Sequence, residues 1–116
     1  MKKLFTIILF ILLSASAAFA QNHIISSGLT TSSAAIVASP CLFHGVEIIT
    51  DGSNAATVTV YDNASAASGT VVFKGTVAGA SNFGGAMFPN PVEMFNGIYV
   101  GVSGTGAAYI PYWKKR

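Results

Sequence analysis

The chain has 116 residues, and 52% of them are hydrophobic. Past residue 20 it carries four basic residues (Lys74, Lys114, Lys115, Arg116) and four acidic ones (Glu47, Asp51, Asp62, Glu93). One domain with one core fits this length. A basic groove for nucleic acid, intrinsic disorder and a multi-helix bundle do not fit: the body has a single lysine before residue 114, apolar content is high, and all 12 glycines follow residue 20.

Residues 1–20 read as a cleaved secretory signal peptide. Lys2 and Lys3 form a positive start, residues 4–13 are apolar except for Thr6, and Ala18-Phe19-Ala20 is a cleavage signal before Gln21. The apolar run is too short for a retained span, which needs about 20 residues. The expectation is an exported protein of the periplasm, cell surface or medium, touching a membrane only through this peptide during export.

Residues 21–40 read as one or two weak strands or an extended arm. Residues 41–50, rich in Phe, Val and Ile, predict a strand, covered on both faces or bulged at Gly45. Asp51-Gly52-Ser53-Asn54 predicts a hairpin turn. Residues 55–61 alternate, with Ala56, Val58 and Val60 inward. A loop over 62–69 leads to a strand over 70–77, with Val71 and Phe73 inward and Lys74 outward. The three strands predict an antiparallel meander.

In residues 78–93, Gly79, Gly84, Gly85, Pro89 and Pro91 predict an irregular crossover that packs on the body. Asn96-Gly97 is a turn pair. Strands follow over 98–103 and 107–113, the latter at a sheet edge because Pro111 lacks an N–H. The fold class is all-β: a single small antiparallel β-sandwich, or a Greek-key or jelly-roll-like barrel, of about 6–8 strands spanning residues 41–116 with a short basic tail. The glycines have no fixed period, which argues against a parallel solenoid.

Two stretches, Val-Thr-Val-Tyr-Asp-Asn-Ala-Ser-Ala-Ala-Ser-Gly-Thr-Val from Val58 to Val71 and Phe-Asn-Gly-Ile-Tyr-Val-Gly-Val-Ser-Gly-Thr-Gly-Ala-Ala-Tyr from Phe95 to Tyr109, carry a resemblance. They are similar to small β-domain proteins encoded by tailed bacteriophages and prophages. The resemblance implies a short all-β chain with a structural or decoration role, on a virion or, given the signal peptide, in a bacterial envelope. It brings no functional residues with it.

No catalytic constellation, cofactor motif or metal set emerges, so the expectation is not an enzyme. Three positions apart on a strand, His44 diverges from Glu47 and from Cys41, and zinc needs three or four convergent ligands. Asp51 and Asp62 sit where turns begin and accept backbone N–H groups there. Glu47 and Glu93 have no positive support as a hydrolytic dyad. The lone Cys41 reads as buried. The candidate binding residues are Tyr99, Tyr109, Tyr112 and Trp113, with Tyr99 expected to share an outer face with Tyr109 or Trp113. The partner is a protein or a second copy meeting a sheet edge; the alternative is a secreted carbohydrate-binding module using these aromatics.

Overall fold

A computed structural model describes residues 23–116. The signal peptide expected over residues 1–20 lies outside the described residues. The described chain forms eight strands in two antiparallel sheets, with one 3-10 turn and no α-helix. The strands are β1 (Ile25–Ser26), β2 (Ala34–Val37), β3 (Cys41–Ile49), β4 (Ala56–Asp62), β5 (Thr70–Val77), β6 (Phe83–Met94), β7 (Ile98–Ser103) and β8 (Ala108–Lys115). The first sheet has the order β1-β8-β3-β6 and the second β2-β7-β4-β5. The fold is sandwich-like. Phe43, Val46, Ile48, Met94 and Tyr109 of the first sheet share one core with Val37, Val58, Val60, Ile98 and Val100 of the second. Because β1 and β2 pair with β8 and β7, the fold begins before Cys41.

Alternation places β4 and β7 as the sequence predicts: Ala56, Val58, Val60, Ile98 and Val100 are buried. The predicted bulge at Gly45 is present, as a register shift between Phe43 and Gly45 against both neighbouring strands. The extra residue reverses the pleat, so Cys41 and Phe43 point inward before it, and Val46 and Ile48 after it. His44 and Glu47 consequently both lie off the core face, correcting the parity argument that separates them.

Several readings need correction. The expected meander does not form, because β3 and β4 belong to different sheets and only β4 and β5 make a hairpin. The 51–54 turn carries the chain between sheets rather than closing a hairpin. Asp51 still shapes it: Oδ1 accepts the Ser53 and Asn54 backbone N–H groups at 2.9 and 2.7 Å, which lowers the Asp51 pKa. A register shift after Val60 turns Val71 outward, 50% exposed, while Val72 and Phe73 pack on the core.

The expected crossover at 78–93 is mostly the long strand β6. Among the described residues it pairs only with β3, so it is an edge, where proline is tolerated. Its prolines fall in an excursion, since Phe43 pairs with Val92 but Gly45 with Met87. The edge position read from Pro111 is only half met. Strand β8 lies between β3 and the two-residue β1. The Pro111 carbonyl accepts the Ser27 N–H at 3.4 Å, so the missing N–H faces the β1 side, where pairing is sparse.

Candidate functional site

The four aromatics singled out in the sequence do not form one face. Tyr109 is in the core with 0% exposure, and its hydroxyl donates to the Ser32 carbonyl at 2.9 Å. Burial pushes its pKa up to about 12. Trp113 packs against the core, and its Nε1–H donates to Ser27 Oγ at 3.0 Å. Tyr99 lies on the other sheet, paired in register with Tyr61, their rings edge-to-face at 6.5 Å. The expected shared outer face fails twice: Tyr109 points into the core rather than outward, and β7 and β8 belong to different sheets. Trp113 borders a small pocket of about 190 Å3 at the end of β3, and Tyr112 reaches a larger groove.

That groove, about 490 Å3, lies along β6 on the first sheet. Three cross-strand rows build it: Phe83 pairs with Ile49, Gly85 with Glu47, and Met87 with Gly45, which pairs in turn with Tyr112. Phe83 and Met87 are 67% and 57% exposed. Gly84 and Gly85 leave the floor without side chains, and Gly85 and the adjacent Gly45 have positive φ. A Cβ on Gly45 would run into the Ala86 carbonyl and Met87, so only glycine lets β3 and β6 come this close here. The Tyr112 hydroxyl donates to Glu47 Oε2 at 3.4 Å.

The groove therefore combines exposed apolar side chains, open backbone and one carboxylate. Phe83 and Met87 were missed as site residues because Gly84 and Gly85 interrupt the alternation between them and Pro89 and Pro91 follow closely. The remaining carboxylates are engaged elsewhere. Asp51 shapes its own turn, Asp62 accepts the N–H groups of Phe95, Asn96 and Gly97, and Glu93 pairs with Arg116. Among the described residues, no three His, Cys, Asp or Glu side chains gather at one point.

Cys41 is buried and free, and burial pushes its pKa up to about 11, away from the thiolate form that reacts. His44 Nε2 is buried and has no hydrogen-bond partner among the described residues, opposite the β6 excursion. Comparison with protein-family models, with curated proteins and with solved structures gave no match.

Proposed function

We propose that this chain is an exported, non-enzymatic β-domain that works by binding, as a structural or interaction module of a phage- or prophage-encoded virion or bacterial surface. The single observation that carries the binding role is the pair of exposed side chains, Phe83 and Met87, on an edge strand beside a glycine-floored groove. Exposed apolar side chains on an unpaired edge favour association. Export is supported by the pattern of residues 1–20.

The strand order, β1-β8-β3-β6 facing β2-β7-β4-β5, supports reading the sandwich as a jelly roll, an architecture found in capsid and lectin domains. Fold alone does not specify function, so the proposal rests on the surface. The phage-related reading draws on the resemblance of residues 58–71 and 95–109. These stretches adjoin in the fold, through β4–β7 pairing and the Asp62 carboxylate.

Fractionation of a culture expressing the native gene, with mass spectrometry of each fraction, tests this reading. A chain starting at Gln21 in the envelope or medium, held in a complex that Met87→Lys releases, is the expected result. A chain retaining Lys2 inside the cell, or a complex indifferent to Met87→Lys, would overturn it.

A second reading, glycan binding, is favoured by the Tyr112 hydroxyl and Glu47 carboxylate on the same groove. Titration calorimetry with chitin and glucan oligosaccharides tests it: heat lost in Tyr112→Ala supports it, and no heat with the unaltered chain refutes it.

A further inference from the structure

The four sheet edges differ in how they are guarded. Strand β1 has two residues and β2 has four, too short to template much pairing. Strand β5 carries the exposed Lys74. The far half of β6 carries Pro89 and Pro91, and Glu93 there is paired with Arg116. Residues 83–87, Phe-Gly-Gly-Ala-Met, have no charge, no proline and no neighbour beyond β3 in their sheet. They are the one stretch of edge without a device that blocks strand addition, among the described residues.

We propose that this stretch pairs antiparallel with the same stretch of a second copy of the chain, about a two-fold axis at Gly85. This deepens, and rests on, the reading of the β6 edge as the binding surface. The sequence is self-complementary in that register. Phe83 lies opposite the partner subunit's Met87, Met87 lies opposite the partner subunit's Phe83, and glycines meet at the centre. Residues 83, 85 and 87 alternate with 84 and 86, so both apolar pairs fall on the same face of the joined sheet.

Charge does not oppose the pairing. The segment is neutral, and residues 21–116 carry four acidic and four basic groups, so two copies do not repel through net charge. The joined edge is five residues long, which puts the contact in the small, transient class below about 1,200 Å2. An isologous contact of this kind closes at two copies rather than running on into a fibre.

Cysteine scanning by register tests the inference. Phe83→Cys and Met87→Cys chains are purified, and each is oxidised alone and as an equimolar mixture. Cys41 is buried and stays silent. The mixture is expected to form the disulfide-linked heterodimer at least roughly tenfold faster than either chain forms a homodimer, because only the mixed pair holds two thiols opposite each other. Homodimers forming as fast as the heterodimer would overturn the register.

Sedimentation equilibrium of the unaltered chain up to millimolar concentration gives the second arm. A reversible dimer abolished by Met87→Lys is expected, and a monomer throughout would overturn the inference. A monomer in solution whose Met87 still engages another protein in cells would sink the second-copy assignment while leaving the β6 binding surface standing.

Discussion

The carboxylate of Asp62 accepts the backbone N–H of Asn96 at 2.8 Å, across 34 residues of chain. The same side chain accepts the Phe95 and Gly97 N–H groups at 3.0 and 3.4 Å. It therefore pins the turn between β6 and β7, which belong to different sheets, onto the end of β4.

Asp62→Ala should lower stability by about 1.5–3 kcal/mol, the range for hydrogen bonds to a charged acceptor. Asp62→Asn keeps one acceptor oxygen and should lose less. The midpoint of urea unfolding measures both; an unchanged midpoint in Asp62→Ala would remove the pinning role.

Thr50 does comparable work at the opposite turn. Its buried hydroxyl donates to the Gly79 carbonyl at 2.8 Å and accepts the Gly52 N–H at 3.2 Å. Thr50→Val keeps the shape and strands these backbone groups, so it should cost about 1–3 kcal/mol. Thr50→Ser should recover most of that loss in the same unfolding assay.

His44 Nε2 is buried and unpaired among the described residues. Replacing a buried unsatisfied polar group with an apolar one removes its desolvation penalty. His44→Leu is expected to raise stability by about 1 kcal/mol, read as a higher thermal midpoint. A lower midpoint would mean that the ring's packing outweighs its orphaned nitrogen.

Cys41 and Tyr109 predict alkaline lability. Their folded pKa values are raised from 9.0 to about 11 and from 10.0 to about 12 by burial. The unfolded chain gives up these protons first. Their stabilising effect is thus complete below pH of about 9 and is lost as pH rises through 11 and 12. Urea midpoints measured from pH 8 upward should hold and then fall over that window. Below it, Cys41 should resist a thiol-directed disulfide reagent in the native protein and react once unfolded.

Much of the fold was legible because alternation is local. Residues 70–77 and 98–103 are strands as read, and the inward faces of β4 and β7 follow from period-two patterning. The assignment of strands to sheets was not legible. Asp51-Gly52 reads as a turn whether it closes a hairpin or passes between layers, and nothing local distinguishes the two. Bulges defeated parity twice, at Gly45 and after Val60, where one extra residue reverses every later side chain. The aromatic site failed because Tyr99 and Tyr109 sit in different sheets and because Tyr109, read as outward, is a core residue. Phe83 and Met87 were hidden by the glycines between them, although those glycines form the groove floor.

The most direct test of the binding surface is photocrosslinking in expressing cells, with a photoreactive residue in place of Met87 or, as control, Val71. Both positions are well exposed, at 57% and 50%, but they lie on different strands, β6 and β5. The account predicts a discrete crosslinked product from position 87 of the exported chain and none from position 71. Equal crosslinking at both positions, or none at position 87, would contradict it.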